Sequence, residues 1–526
     1  MNNASARRRA GKMQRLNRER AMLSEYRQRF GDFHTEFYRE DYIFRSGHKQ
    51  GREIARILGE YSDLFKPSAI AELRAKLEEI SEHRETDRSS VKRLIAFAVE
   101  GSLQSRAREV SDEIEDYEAN ALIDWQGQPG QPGQKIPFRS STSLLAGESD
   151  FARRRDLFAR RAGVIEAGQD LRAERLEKLR DGARELGYEN RLAMLRELRG
   201  LDYEGLAERA RSVLSKTESH YVNALAGLLP RETGVSIDDA TQADLGFLQR
   251  FPRFDHFFPW ERMLGVYREL FAALGFSAEK QSNLAIDSDP RPGKQLQAFC
   301  SPIRVPDEIK LSVNLTGGQA NYREFLREAG RSQLYAWTSR SLFPEFRLGG
   351  DRAVVEAWGL LFENLIADER WLMATFGFVE NMGFRRALAV FRLMSLRQRA
   401  ALLGYEVEFH SGRLSSGAGA LYAESMTDAA RVRFDGTERL RSLDAAFHSA
   451  DFLRASAFES QMREYLKTHF GLRWWASRKA GETLIDLWNT GRRYSLEDLA
   501  SMIGLGPLDF DWLASELMET LEGRPA

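Results

Sequence analysis

Apolar residues recur at helical spacing along most of this chain, and this periodicity limits the possible fold more than any other feature. In the clearest example, 354–366, the apolar side chains fall at i, i+1, i+4, i+7, i+8, i+11 and i+12, which is one face of a helix. Leu513, Leu517 and Leu521 indicate a further helix near the C-terminus. Only 14 of the 526 residues are proline, so few positions interrupt the pattern. The sequence therefore predicts a mainly α protein.

Two segments break the helical pattern. Residues 127–133 read Gly-Gln-Pro-Gly-Gln-Pro-Gly, a composition that predicts a loop, and this loop could divide an N-terminal helical region from the rest. Residues 283–316 contain turn residues at 289–293 and β-favouring stretches at 296–299 and 309–315, which predict a small antiparallel β-sheet. The sheet segment ends at Gly317-Gly318, and a helical pattern resumes with Tyr322.

The charge balance and the cysteine content argue against several classes of protein. Lys and Arg total 77 against 78 Asp and Glu, whereas a dedicated nucleic-acid-binding protein normally carries a basic excess. The single cysteine, Cys300, cannot form an internal disulfide, and no stretch reaches the roughly 20 apolar residues that cross a bilayer. We therefore expect a cytoplasmic protein with no nucleic-acid or membrane partner. The basic residues 1–20 lack the apolar core of a secretory signal, and we interpret them as a solvated tail or helix start.

The helix that follows Gly317-Gly318 contains the sequence Arg327-Glu328-Ala329-Gly330-Arg331. The strand pair, the Gly-Gly turn and this helix together resemble the thimet oligopeptidase and oligoendopeptidase F family of zinc metallopeptidases, in which the same place reads His-Glu-x-Gly-His. In that family a second helix, about 25 residues further on, supplies a glutamate as the third zinc ligand, and Glu356 stands at that place. The resemblance extends over roughly residues 280–520.

The resemblance implies a zincin-like fold with two helical lobes around a deep channel, and the family's activity is the zinc-dependent cleavage of short peptides. We therefore predict a tail at 1–20, an N-terminal helical lobe at 21–200 and a metallopeptidase-like region at 201–526. The implied partner is a peptide or another extended small ligand, and the oligomeric state stays open. His410, Tyr422 and His448 lie where the family draws substrate contacts, although partly buried polar residues without a function would fit equally well.

Two positions of the motif depart from the family in a way that changes its chemistry. Histidines at i and i+4 bind one zinc ion, and the glutamate between them acts as general base on zinc-bound water. A guanidinium group stays protonated and has no lone pair, so Arg327 and Arg331 cannot be zinc ligands. No two of the eight histidines lie three or four residues apart, although a metal site assembled from distant segments stays open. We therefore expect no zinc cofactor and interpret Glu328 as a vestigial general base.

Three functions are compatible with this altered motif. The first is a catalytically inactive pseudopeptidase that keeps a peptide-binding channel. The second is a peptidase or other hydrolase that uses a relocated metal or no metal. The third is an anion-binding protein, because the forked donors of Arg327 and Arg331 suit a carboxylate or a phosphate.

The charged motif also has a plain structural interpretation. Glu324, Arg327, Glu328 and Arg331 share one helix face, and oppositely charged pairs at i, i+3 occur on many solvated helices. The order of strand, Gly-Gly turn, motif and Glu356 favours instead a site on the channel floor. Two arginines that face Glu328 and Glu356 sum to zero charge, as a zinc ion facing two carboxylates does. We therefore predict that Arg327, Arg331, Glu328 and Glu356 form one neutral cluster.

Overall fold

The computed structural model of the chain describes residues 2–126, 133–277, 280–378, 382–414, 417–443 and 447–523, with side chains from residue 22 onward. The predicted mainly α fold is confirmed. The helices before the larger β-sheet are α1 Asn2–Arg45, α2 Ile54–Glu60, α3 Pro67–Glu79, α4 Glu85–Arg106, α5 Arg108–Asn120, α6 Ser141–Gly147, α7 Phe151–Ala167, α8 Gln169–Glu185, α9 Arg191–Arg199, α10 Tyr203–Thr233, α11 Gln242–Arg250 and α12 Met263–Ala273.

Ten further helices follow that sheet among the described residues. They are α13 Gly318–Trp337, α14 Pro344–Arg347, α15 Arg352–Glu363, α16 Glu369–Phe376, α17 Met382–His410, α18 Ala418–Ala430, α19 His448–Phe470, α20 Arg478–Asn489, α21 Leu496–Met502 and α22 Phe510–Glu522. The periodic stretch at 354–366 forms α15 and a short 3-10 turn, Asn364–Ala367, after it. Leu513, Leu517 and Leu521 lie on the buried face of α22, as their spacing predicted.

A two-stranded hairpin accompanies the first helices, and the sequence patterns did not predict it. Strand β1, Leu122–Trp125, pairs antiparallel with β2, Gln134–Pro137. Residues 127–132 of the predicted Gly-Pro loop lie outside the described part of the chain. The segments on either side of that loop therefore pair with each other, and a division of the chain at this point stays a prediction, as does the boundary near residue 200.

The predicted β-sheet at 283–316 is present, but it is mixed rather than purely antiparallel. Its strands are β3 Leu284–Asp287, β4 Phe299–Arg304 and β5 Glu308–Ser312, in the order β3-β5-β4. Strands β4 and β5 pair antiparallel, whereas β3 runs parallel to β5. The β-favouring composition of a segment does not encode the direction of its neighbour, and the long connection between β3 and β5 allows the parallel arrangement.

Helix α13 begins earlier than its apolar pattern suggested. Gly318 is its first residue, four positions before Tyr322, and Gly317 precedes it with a φ of 72°. A Cβ atom at Gly317 would lie 2.9 Å from the carbonyl oxygen of Phe258. The left-handed backbone and this close approach both require glycine, so the Gly-Gly turn determines where α13 starts.

The N-terminal helices face the C-terminal body across a cavity of about 960 Å³. One wall consists of parts of α1 and α4 and the connection from α9 to α10. The other consists of parts of α13, α15 and α19 together with residues from 348–351 and 492–498. A single apolar core continues beneath both walls, from Phe30 in α1 to Leu517 in α22. None of the described helices has an apolar stretch long enough to cross a membrane.

Candidate active site without metal ligands

Helices α13 and α15 pack against each other through glycine. A Cβ atom at Gly330 of α13 would lie 2.3 Å from the carbonyl oxygen of Trp358 in α15. A Cβ atom at Gly359 would lie 3.0 Å from Cγ of Arg327 and 3.2 Å from Cγ of Arg331. Because side chains are absent at these two contact points, the arginines of α13 reach directly to the carboxylates of α15.

Arg327 and Arg331 both contact the same carboxylate. The two Nη2 atoms each make an ion pair with one oxygen of Glu356, which lies on α15 and is 4% exposed. Arg331 also donates from Nη1 to Oε1 of Glu328 over 2.6 Å. The structure therefore brings Arg327, Arg331, Glu328 and Glu356 into one group of contacts. The alternative of a solvated salt-bridge face does not fit, because both carboxylates are buried and one belongs to another helix.

The cluster contains two residues that the sequence analysis did not single out. Arg323 donates from Nη2 to Oε1 of Glu363 over 2.7 Å, and Arg327 donates from Nη1 to Oε2 of the same carboxylate over 3.3 Å. Arg323 lies one turn before Arg327, and Glu363 lies two turns after Glu356, so helical spacing is the signal that could have found them. The complete cluster has three arginines facing three carboxylates, and its formal charge is zero.

Glu328 connects the cluster to the β-sheet. Its Oε2 atom accepts a hydrogen bond of 2.9 Å from the backbone amide of Cys300, in strand β4. Its other oxygen accepts from Arg331, and the residue is 7% exposed. Both oxygens of this carboxylate therefore have partners within the protein, which is an arrangement typical of a structural carboxylate.

Burial and neighbouring charges set the protonation states of this region. Burial lowers the pKa of Arg327, and Glu363 opposes that shift. Burial raises the pKa of Glu363, but Arg323 and Arg327 outweigh this effect, so that the pKa lies below its usual value. Burial, with Glu328 adding to it, raises the pKa of the Cys300 thiol well above its usual range. Glu363 is therefore ionised at neutral pH, whereas Cys300 is a thiol and a poor nucleophile.

Of the three predicted contact residues, His448 lies at the cavity. It is the first residue of α19 and lines the cavity together with Arg331 and Glu356. Burial lowers its pKa to about 4, and Arg399, Arg327 and Arg331 add to the shift. Its imidazole is therefore neutral at pH 7.

His410 and Tyr422 lie elsewhere. His410 ends α17 with its ring 5.4 Å from that of Phe447, and burial holds its pKa well below the usual value. Tyr422, in α18, packs edge to face against Tyr405 at 5.5 Å in a separate apolar cluster. Neither residue lines the cavity, and a ligand contact by either one stays a prediction.

The donor atoms of this site do not suit zinc. Zinc is held by imidazole, thiolate or carboxylate groups, and here two of the three positions implied by the resemblance carry guanidinium groups. In the part of the chain that the structure describes, no three His, Cys, Asp or Glu side chains lie close enough together to hold a metal ion.

Comparison with known proteins identifies the fold. No family model and no curated protein matches the chain. One solved structure, described as a "putative oligoendopeptidase F", matches with a TM-score of 0.66 at 16% identity, over 98% of this chain and 93% of its own. A second structure with the same description, from Bacillus anthracis, matches with a TM-score of 0.64 at 15% identity, over 92% and 87% of the two chains. The chain therefore has the oligoendopeptidase F-like fold over nearly its whole length.

Proposed function

We propose that this protein is an oligoendopeptidase-like pseudopeptidase, which binds a peptide in its interlobe cavity and does not cleave it with zinc. The observation that carries the proposal is the shared contact of Arg327 and Arg331 with Glu356. Three side chains at the positions that the resemblance assigns to zinc ligands are thereby bonded to one another. Their charges are matched without a metal ion.

The chemistry of Glu328 supports the loss of hydrolysis. A general base in a zinc peptidase takes a proton from zinc-bound water, whose pKa the metal has lowered. Neither arginine can hold a metal, and both oxygens of Glu328 already accept hydrogen bonds, from Cys300 and Arg331. Glu328 therefore stabilises the contact between α13 and the sheet and has no activated water to deprotonate.

The lining of the cavity supports a peptide as the ligand. Nine Lys or Arg and eight Asp or Glu residues line it, so charges of both signs face the same space. A polyanion would favour a basic excess, whereas a peptide offers amino, carboxylate and amide groups. The alternative in which Arg327 and Arg331 bind a free anion has less support, because Glu328, Glu356 and Glu363 already match those charges.

The proposal is tested by measuring binding and cleavage on the same set of peptides. Fluorescently labelled peptides of eight to twelve residues are titrated with the protein, and the mixtures are then analysed by mass spectrometry with and without added zinc. We expect saturable binding and no zinc-dependent cleavage. The variant Val355→Trp tests whether the peptide binds in the cavity. It places a large side chain beside Glu356 and should reduce binding without unfolding the protein.

Two results would contradict the proposal. Cleavage that zinc restores and a chelator abolishes would establish an active metallopeptidase. Failure of every peptide in the set to bind, or binding that Val355→Trp leaves unchanged, would remove the cavity as a peptide site.

A further inference from the structure

One wall of the cavity is aromatic. Helix α1 presents Phe30, His34 and Tyr38 to it at intervals of four residues, which places the three rings along one face of the helix. The ring of His34 lies 4.2 Å from that of Phe30 and 5.9 Å from that of Tyr38. The three rings therefore form a continuous strip along the N-terminal side of the cavity.

Two other helices each add one ring to the lining of the cavity. Phe97 of α4 lies 4.7 Å from Phe30 and 5.1 Å from His34, measured between ring centroids. Tyr335 lines the cavity from the opposite side, on α13, one turn after Arg331. The name aromatic wall is used here for all five rings, those of Phe30, His34, Tyr38, Phe97 and Tyr335, although they line the cavity from two sides. Of these, Tyr335 lies one helical turn from the arginine–glutamate cluster.

His34 gives the aromatic wall a hydrogen-bond acceptor. Its Nδ1 lies 2.8 Å from the carbonyl oxygen of Phe30, and a carbonyl accepts, so this nitrogen carries the proton. Burial lowers the pKa of His34 to about 4, and the ring is neutral at pH 7. The second nitrogen, Nε2, therefore has a free lone pair, and it has no hydrogen-bond partner among the described residues.

The aromatic wall also contains two hydroxyl groups without protein partners. In the described part of the chain, neither the Tyr38 hydroxyl nor the Tyr335 hydroxyl makes a hydrogen bond to another residue. Both side chains line the cavity, where a ligand can reach them. Polar groups in such places are normally satisfied by water or by a ligand.

We propose that the aromatic wall binds an aromatic side chain of the peptide that carries a hydrogen-bond donor, with tyrosine as the best fit. The ring of the ligand packs against Phe97 and Tyr38, which are partly exposed at the cavity, and its hydroxyl donates to Nε2 of His34. Phe30 is buried and supports the ring of Phe97 from beneath. Aromatic packing supplies affinity, and the acceptor on His34 favours tyrosine over phenylalanine, because an unmade hydrogen bond in a buried site is costly. This inference rests on the proposed peptide-binding function.

Peptides that differ at one residue test the inference. The probes are acetylated, amidated octapeptides of Ala, Ser and Gly, in which Tyr, Phe or Ala is placed at each position in turn, and their dissociation constants are measured by calorimetry. At one position we expect the Tyr peptide to bind at least tenfold more tightly than the Ala peptide. The Phe peptide should fall about threefold to tenfold below the Tyr peptide, as one hydrogen bond would predict.

His34→Phe separates the two parts of the inference. The variant keeps a ring but loses the acceptor, so the preference for Tyr over Phe should disappear while the preference for both over Ala remains. His83→Phe is the matched control, since His83 is exposed in a loop and should leave the pattern unchanged. Thermal unfolding of both variants verifies that they fold.

The possible failures are distinguishable. Equal binding of Tyr, Phe and Ala peptides would overturn the aromatic wall as a specificity site and leave the peptide-binding function in place. A preference for Tyr over Phe that persists in His34→Phe would overturn the role of His34 alone. If no octapeptide binds at all, both the aromatic site and the proposed function are wrong.

Discussion

At the scale of single residues, Arg327 is the member of the cluster whose loss is most informative. It contacts both Glu356 and Glu363, and each of these carboxylates is less than one-tenth exposed. Arg327→Ala leaves Glu356 and Glu363 with one arginine partner each in a poorly solvated place. Breaking a buried pair in this way costs on the order of 3 kcal/mol, and we expect a decrease of that size in the free energy of unfolding by urea titration.

The matched control for this change is Arg56→Ala. Arg56 also contacts two carboxylates, those of Glu53 and Glu60, but its side chain is 50% exposed. Solvent screens exposed pairs of this kind, so this variant should remain close to the parent in stability. Equal and small effects of Arg327→Ala and Arg56→Ala would mean that the cluster is an ordinary solvated surface.

A second prediction at the residue scale concerns Glu406 and the pH dependence of the free energy of unfolding. Its carboxylate is buried, accepts a 3.1 Å hydrogen bond from the amide of Phe447 and contacts the hydroxyl of Ser449. Burial raises its pKa to about 8, with Asp451 adding to the shift, while the Phe447 amide and Arg399 oppose it. The folded protein therefore keeps a proton on Glu406 that the unfolded chain loses above about pH 4.3.

The sign of the resulting pH dependence follows from this difference. Between about pH 4.3 and 8 the folded state binds one more proton at this site, so stability should fall as the pH rises. The slope for one full proton is about 1.4 kcal/mol per pH unit. Glu406→Gln removes this titration, and the difference in unfolding free energy between parent and variant should fall with that slope. A difference that stays constant from pH 5 to 8 would show that Glu406 titrates normally.

Four of the six residues in the cluster could be predicted from the sequence. The resemblance singled out Arg327, Arg331, Glu328 and Glu356, because their types and spacing match a known motif with two altered positions. Glu363 has no counterpart in that motif, and its contact with Arg327 depends on the crossing of two helices. Such a crossing is set by packing between distant segments, which a single sequence does not display.

At the scale of elements, the contact between α13 and α15 positions the whole cluster. Gly330 permits this contact, since its Cβ position lies 2.3 Å from the carbonyl oxygen of Trp358 and 2.8 Å from the ring of Phe362. Gly330→Ala should therefore separate the helices and destabilise the protein by about 1–3 kcal/mol, as overpacking does. Differential scanning calorimetry measures the effect.

Gly404→Ala is the control for the intrinsic preference of alanine for helices. Gly404 lies inside α17, and its Cβ position has no atom within 4 Å. This change should stabilise the protein by roughly 0.5–1 kcal/mol, since glycine is unfavourable within a helix. If Gly330→Ala stabilises as Gly404→Ala does, the close contact between α13 and α15 is not what holds the cluster.

Helices were easier to predict than strands for a physical reason. An apolar face such as that of α15 repeats over several turns and identifies the helix by itself. Strands β1 and β2 have four residues each, too few for a clear alternation, and their pairing depends on each other. Strand β3 pairs parallel with β5, although β4 lies between them in the sequence. Local sequence patterns do not predict which distant strands pair.

At the scale of the whole molecule, the fold is shared with structures that are only 15–16% identical to this chain. In this chain α13 and α15 pack against each other with arginine at positions 327 and 331. The double variant Arg327→His with Arg331→His places His-Glu-Ala-Gly-His beside Glu356, which is a three-ligand zinc set. We expect this variant to bind zinc, as measured by calorimetric titration.

The matched control for zinc uptake is Arg327→His with Arg331→Ala, which has one imidazole fewer and should bind zinc much more weakly. Stabilisation of the double-histidine variant by zinc provides a second readout, because a metal that binds only the folded state raises its stability. A double-histidine variant that folds but binds zinc no better than this control would contradict the interpretation of Arg327, Arg331 and Glu356 as degenerate zinc-ligand positions.

The central claim is that ion pairs of Arg327 and Arg331 with Glu356 occupy the place where the resemblance implies a zinc ion. Elemental analysis of the unmodified protein, purified without a metal-binding tag and dialysed against metal-free buffer, tests this claim most directly. The account predicts far less than one zinc ion per chain, because Arg327 and Arg331 have no lone pair to offer. About one zinc ion per chain that survives dialysis would contradict the account and would require a different set of ligands.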